Sequence, residues 1–337
     1  MSHNLPADPP GLDLARLGAY LEREGIATPP IAAQVIQGGM SNLTYLVRDA
    51  AGTVLVVRRP PLGHVLATAH DMGREYRVMT ALAGSGVPVP RTYALCRDEE
   101  VVGAPFYVME YVPGRILYAG APDMSGRAEP DPEATGDEDV RKIVLDLADV
   151  LALLHSLDYA ALGLADFGRP EGYLERQVRR WKRQLDASRS REVPGIDHLH
   201  ERLAATIPAQ DAGHASIVHG DFKLGNTLIG DGGRINAVLD WEMSTLGDPL
   251  TDLALFLLYS EMAGLGEGLA DRYATSSGRD LSRLGWYVGM ACFKLAVISE
   301  GIYFRFTQGL TVGDGFDTVG DQTVPLVDRG LDALKED

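Results

Sequence analysis

The chain has 337 residues, 45% of them apolar and 23% charged, enough to bury two compact cores without staples. Its two cysteines, Cys96 and Cys292, lack CxxC or Cys/His spacing, so a zinc site or disulfide framework is not expected and a reducing, cytoplasmic setting is. A formal charge of −16 speaks against general nucleic-acid binding, which needs clustered Lys and Arg; it suits solubility first and a cationic ligand second.

Residues 1–10 are Pro-rich, without the basic and apolar regions of a signal peptide. Helical spacing follows over 12–23 (Leu14, Leu17, Leu21), ending at Gly25. Residues 31–37, 43–48 and 53–58 read as strands separated by Gly38-Gly39 and Ala51-Gly52. A helix over 73–83 interrupts them, stopped by GSGVPVP, and strands over 91–97 and 105–111 complete a sheet of about five. This makes a small α+β lobe, placed at 1–112.

The rest, 113–337, reads as mainly helical. Residues 119–138 are acidic and rich in Gly and Pro, the composition of a surface loop. Helices are expected over 140–156, 172–188, 196–205, 251–261 and 281–306, with a strand-rich patch over 216–241. No apolar run reaches the roughly 18 residues of a membrane span: the best, 286–298, is short and carries Lys294. A soluble protein without membrane or nucleic-acid partners is expected; the oligomeric state is not legible.

The chemistry-bearing segment is IVHGDFKLGNTLI (217–229), followed by AVLDWE (237–242). Phosphoryl transfer to an alcohol needs a carboxylate for the attacking hydroxyl and oxygen ligands that hold Mg²⁺ against the phosphates. Asp221 in a tight polar loop can be the base, Asn226 can return an oxygen to the same pocket, and Asp240 at a strand end can supply a second metal ligand. As isolated residues, Asp221 and Asn226 would only shape a turn. Joined to Asp240 at the next strand end, they form a pattern.

HGDxxxxN followed by a strand and DWE resembles the catalytic and metal loops of the aminoglycoside phosphotransferase and choline kinase family, relatives of the protein kinases, whose loop reads HRDxxxxN. The resemblance implies a protein kinase-like fold with a β-rich N-lobe and a mainly helical C-lobe. It implies ATP and Mg²⁺ as cofactors, Asp221 as base, and Asn226 and Asp240 as metal ligands. Trp241-Glu242 in place of Phe-Gly favours the small-molecule branch. The short stretch from Asp240 to Asp248 argues against a peptide substrate.

In the N-lobe, the tip GGMSN, with Gly39, Ser41 and Asn42, can lay backbone N–H groups over phosphates, or be only a turn. Arg58, one face away from Arg59, stands where kinases carry the lysine that pairs the α/β-phosphates; an exposed strand arginine is the plainer alternative. Glu75 would be its ion-pair partner. YVMEYVPG looks like a kinase hinge, with backbone groups of Glu110 and Val112 on adenine. Lys223 can reach the γ-phosphate. Asp252 would cap a helix or brace the catalytic loop, and His155 is read as helix-end packing.

The helix over 172–188 sets Leu174, Val178, Trp181 and Leu185 against Arg176, Arg179, Arg180 and Arg183, a solvated stripe or a site for an anionic substrate. LVVRRPP, HSLDYAALGL and GYLERQVRRW are similar to the kinase-like domain fused to acyl-CoA dehydrogenases, over about 30–330. That branch implies a hydroxylated acyl thioester as acceptor. The expected function is ATP- and Mg²⁺-dependent phosphorylation of a small molecule's hydroxyl. The alternative is a nucleotide-binding regulator without turnover.

Overall fold

The computed structural model describes residues 8–36, 42–62, 71–118, 137–209, 214–310, 316 and 318–335. Gly39, Ser41 and almost all of the acidic 119–138 stretch lie outside them. Contacts divide the chain into two units, one of residues 1–114 with 236–242, the other of 115–235 with 243–337.

The first unit opens with α1 (Leu14–Arg23), whose first turn is capped by Asp13 accepting the Arg16 N–H at 2.9 Å. Five strands follow: β1 (Ala32–Val35), β2 (Leu43–Arg48), β3 (Val54–Arg59), β4 (Thr92–Cys96) and β5 (Phe106–Glu110). They form one antiparallel sheet in the order β1-β2-β3-β5-β4. Helix α2 (Met72–Leu82) interrupts it as the sequence predicts, and a one-turn helix, α3 (Glu99–Val102), is added between β4 and β5.

Alternation along β3 decides where its two arginines go. Leu55 and Val57 point into a core with Leu17, Leu21, Tyr45, Val47, Phe106 and Val108. Arg59 shares that face, and its Nη1 donates to the carbonyls of Gly11 and Val102. Arg58 therefore projects from the opposite face. On α2 the buried residues are Met72, Glu75, Val78, Met79 and Leu82, so helical spacing carries Glu75 into the apolar stripe.

The second unit is mainly helical: α4 (Asp137–Ser156), α5 (Tyr173–Ser188), α6 (Ile196–Ala205), α7 (Leu250–Met262), α8 (Leu269–Ser277), α9 (Leu284–Thr307) and α10 (Thr323–Ala333). Helices α8 and α10 were not anticipated. Two short strands, β6 (Ser216–Val218) and β7 (Thr227–Ile229), bracket the HGD loop, and β6 pairs antiparallel with β9 (Thr245–Gly247). Between them in sequence runs β8 (Ile235–Val238), where the Val238 N–H donates to the Pro88 carbonyl at 2.8 Å in the first unit.

Helix α9 matches the helix expected over 281–306 but corrects the expectation that no apolar stretch reaches the length of a membrane span. It has 24 residues and is long and apolar enough to cross a bilayer, yet 72% of its apolar window is buried within the protein. Its polar residues explain this: Glu300 takes Arg191 at 2.6 Å and the Thr323 hydroxyl at 2.9 Å, and Lys294 also finds a protein partner. Gly289 lets α9 and α10 approach closely, because a Cβ there would lie 3.2 Å from the Gly330 carbonyl oxygen. It is the central core helix of its unit.

Candidate active site

In the first unit a buried polar cluster surrounds Arg58. Its Nη2 donates to Asp240 Oδ1 at 2.6 Å, and its Nε lies 3.3 Å from Glu75 Oε2. The Tyr107 hydroxyl donates to the same Glu75 oxygen at 2.9 Å. Asn42 Nδ2 donates to Glu75 Oε1 at 3.2 Å and to Glu242 Oε2 at 3.1 Å. The expected Arg58–Glu75 pair is present, and Arg58 is no surface arginine: its side chain is only 13% exposed. Asn42, expected over phosphates, turns its side chain inward, where Oδ1 is buried without a hydrogen-bond partner among the described residues.

Burial raises the Glu75 carboxyl to about 7, helped by Asp240 and Glu242 and opposed by Arg58 and the Tyr107 hydroxyl. Burial works against the Arg58 charge too, but Tyr107, Glu75, Asp240 and Glu242 together outweigh it and raise its pKa. Of this pair the guanidinium is the group that stays charged, because Asp240 bonds it directly whatever the state of Glu75.

Asp240 has φ +67°, and among the described residues it alone, glycines aside, has positive φ. Such backbone is held only where its surroundings over-determine it, and it aims the carboxylate after β8. At the hinge segment the Glu110 N–H is already committed to the Arg91 carbonyl at 2.7 Å, which narrows the adenine expectation to other backbone groups.

In the second unit the HGD turn is gripped by Asp252. Its Oδ2 accepts the His219 N–H at 2.6 Å and its Oδ1 the Gly220 N–H at 2.8 Å. Burial would raise the Asp252 carboxyl; His155, His219 and these N–H donors outweigh it and hold it low. The bracing role foreseen for Asp252 is what its geometry performs.

His155 does more than pack a helix end. Burial lowers its pKa and keeps it neutral, so Nε2–H donates to Asp252 Oδ2 at 3.4 Å and Nδ1 accepts from the Tyr273 hydroxyl at 2.8 Å. The physical reason is its place at the end of α4, only 2% exposed, where an unpaired imidazole would be costly.

Asp221 follows the turn. Lys223 Nζ lies 3.1 Å from its Oδ2, and the Tyr259 hydroxyl donates to its Oδ1 at 3.3 Å. Burial would raise this carboxyl, but Lys223 and Lys294 prevail and hold it below the ordinary carboxylate range. Asn226 spends its amide nitrogen on Asp221, donating to the main-chain oxygen at 2.8 Å and to Oδ2 at 3.1 Å. Its amide oxygen is then the atom suited to a cation.

Both assigned metal ligands are hard oxygen donors on partly exposed side chains, and Mg²⁺ takes oxygen ligands, one or two from the protein with water and phosphate completing the shell. Each of the two side chains, taken by itself, is of the chemical kind that ion accepts. Among the described residues there is no cluster of three or more His, Cys, Asp or Glu able to hold a metal.

Two residues beside Asp221 were not anticipated as functional. Tyr259 carries no motif signal. Lys294 had one, as a lone charge inside an apolar run, but was read only as a break in that run. The arginine stripe of α5 is smaller than expected, because Arg176 donates to the carbonyls of Arg169 and Glu171; Arg179, Arg180 and Arg183 remain exposed.

The APH phosphotransferase enzyme family matches residues 32–287. This chain belongs to that family. Acyl-CoA dehydrogenase family member 11 of Gallus gallus is 33% identical to it over 96% of this chain and 44% of its own length. Family member 10 of Mus musculus is 34% identical over 92% and 30%. The chain thus spans less than half the length of these curated relatives.

A crystal structure from Ralstonia eutropha JMP134, presented as a candidate aminoglycoside phosphotransferase, is 32% identical, with TM-score 0.81 and 96% and 98% of the two chains covered. An amicoumacin kinase in complex with AMP-PNP and Ca²⁺, 13% identical with TM-score 0.60 over 89% and 88%, shares the fold. The fold is that of the kinase-like phosphotransferases, and the family is one of phosphotransferase enzymes.

Proposed function

We propose that this chain transfers the γ-phosphoryl group of ATP, with Mg²⁺, to a hydroxyl of a small molecule, and that the acceptor is a hydroxylated acyl thioester. The observation that carries the reading is Asp221: a carboxylate kept ionised between Lys223 and Lys294, on a turn whose N–H groups are fixed by Asp252. That is the state a proton acceptor needs at neutral pH.

The acceptor oxygen would attack the γ-phosphorus as its proton passes to a carboxylate oxygen of Asp221, and the bond to the β,γ-bridging oxygen breaks to release ADP. Tyr259 and Lys223 fix the two carboxylate oxygens from different sides, which orients the base before the acceptor arrives. Asn226 and Asp240 are the residues suited to Mg²⁺, which when bound neutralises charge on the phosphates. Arg58 is the candidate cation for the α/β-phosphates, a role that would require it to exchange the Asp240 carboxylate for phosphate. The phosphotransfer reading also draws on the AMP-PNP and Ca²⁺ bound by the amicoumacin kinase of the same fold. The acceptor class rests on the acyl-CoA dehydrogenase relatives and on the exposed arginines of α5, which suit an anionic partner better than a cationic drug.

The test is a screen of hydroxylated acyl-CoAs, hydroxylated metabolites and aminoglycosides for ADP release from Mg²⁺-ATP. Stimulation by hydroxyacyl thioesters supports the reading. Stimulation by aminoglycosides alone contradicts the acceptor class, and no ADP release under any condition contradicts the activity.

A further inference from the structure

We infer that Lys294 is a positioning residue of the catalytic turn, holding the Gly220 carbonyl and thereby setting where the Asp221 carboxylate points; the inference rests on the phosphotransfer reading above. Lys294 lies on α9, and its Nζ donates to the Gly220 carbonyl oxygen at 2.7 Å. The indole of Trp181, from α5, is centred 5.7 Å from the same nitrogen. The partner of this half-buried ammonium is thus a main-chain carbonyl, backed by an aromatic face. Taking even part of a charge out of water costs free energy, so a Lys placed this way is a costly means of holding one carbonyl unless the carbonyl's orientation matters.

The geometry of the turn shows why it would. The Gly220 carbonyl and the Asp221 N–H belong to one peptide plane. Lys294 holds its oxygen end, and at its nitrogen end the Asp221 N–H donates to His219 Nδ1 at 3.2 Å. The preceding planes are held through the His219 and Gly220 N–H groups by Asp252. Gly220 itself has φ +88°, and a Cβ there would sit 2.7 Å from the Met243 carbonyl oxygen and from Met243 Cβ. The turn is therefore seated against Met243, and the 220–221 plane is the element that could still rotate. Its rotation would swing the Asp221 carboxylate away from Tyr259 and Lys223. Lys294 clamps that rotation through the Gly220 carbonyl, a group that Asp252 does not hold.

The test uses the full chain with Mg²⁺-ATP, measuring ADP release, nucleotide binding by calorimetry and thermal melting for wild type, Lys294→Met and Lys294→Arg. A cavity of about 40 Å³ lined by Lys294, Gln177, Trp181 and Tyr287 gives the larger guanidinium room. Lys294→Met is expected to lower kcat about thirtyfold, the scale of a small misplacement of a reacting group, with KM for ATP within about twofold and the melting temperature undiminished. Lys294→Arg is expected to recover turnover to within about fivefold of wild type, since it keeps a cationic donor. Lys294→Met within about threefold of an active wild type overturns the role, as does a kcat loss that travels with lost folding and that Arg fails to rescue. A wild type that releases no ADP overturns the phosphotransfer reading and this role with it.

Discussion

Around Arg58 three carboxylates, Glu75, Asp240 and Glu242, share the field of one guanidinium, whereas the Asp221 carboxylate lies in the field of two ammonium groups. Burial acts in the same direction at both places, against charge, and the ratio of signs decides the outcome. At Glu75 the excess of acids adds to burial and the pKa rises; at Asp221 the excess of cations overcomes it and the pKa falls. Among the described residues the first cluster sets three carboxylates around one guanidinium, a balance that suits a cation. The second keeps a single anion ready to take a proton. One chain tunes two kinds of carboxylate by counting neighbours.

The comparison breaks most severely at Asp221. Asp221→Ala should lower ADP release at least about a thousandfold while leaving nucleotide binding within about twofold by calorimetry, since the base acts only in the transfer step. Retained turnover would remove the base assignment. Next comes Asp252→Ala, which strands two main-chain N–H groups and His155 in a buried site. Urea unfolding should show a loss of about 3 kcal/mol, with a fall in kcat as the turn loosens. A loss under about 1 kcal/mol would mean that the turn holds itself.

Asp240→Ala probes the cation-poor cluster. It should cost about tenfold in ATP affinity with Mg²⁺ present and nothing without it, so calorimetry with and without the metal separates the two roles of that carboxylate. The smallest effect is Glu75→Gln. The folded-state pKa of Glu75 is raised from 4.5 to about 7, so across that window the folded chain holds the proton that the unfolded chain has released. Its contribution therefore declines as pH rises from about 4.5 to 7 and is level above. Glu75→Gln should flatten that part of the stability profile; an unchanged slope would assign the titration elsewhere.

The parts of this arrangement that were legible in the sequence are those written in short spacing. HGDxxxxN keeps Asp221 and Asn226 on one loop, so their hydrogen bond follows from five residues of separation. Period-two alternation predicts that Arg58 and Arg59 part company across the sheet, and the structure separates them in that way. Glu75 was legible from its place on the helix after β3, although burial on an apolar stripe was not.

The parts that stayed hidden depend on tertiary packing. Lys294 reaches Gly220 across 74 positions and Tyr259 reaches Asp221 across 38, with no local pattern announcing either. His155 reads as packing because a lone histidine after leucines usually is; its partners Asp252 and Tyr273 come from α7 and α8, 97 and 118 positions away. Helix α9 is legible in its extent, expected over 281–306 and found over Leu284–Thr307, but the distant partners that let Lys294 and Glu300 sit inside its apolar run are not.

The most direct measurement incubates wild type and Asp221→Asn with Mg²⁺-ATP and a hydroxyacyl thioester and weighs the acceptor by mass spectrometry. The assignment predicts one added phosphoryl group with wild type and none with Asp221→Asn, although both bind nucleotide. An acceptor left unmodified by wild type, or modified equally by the two proteins, would contradict it.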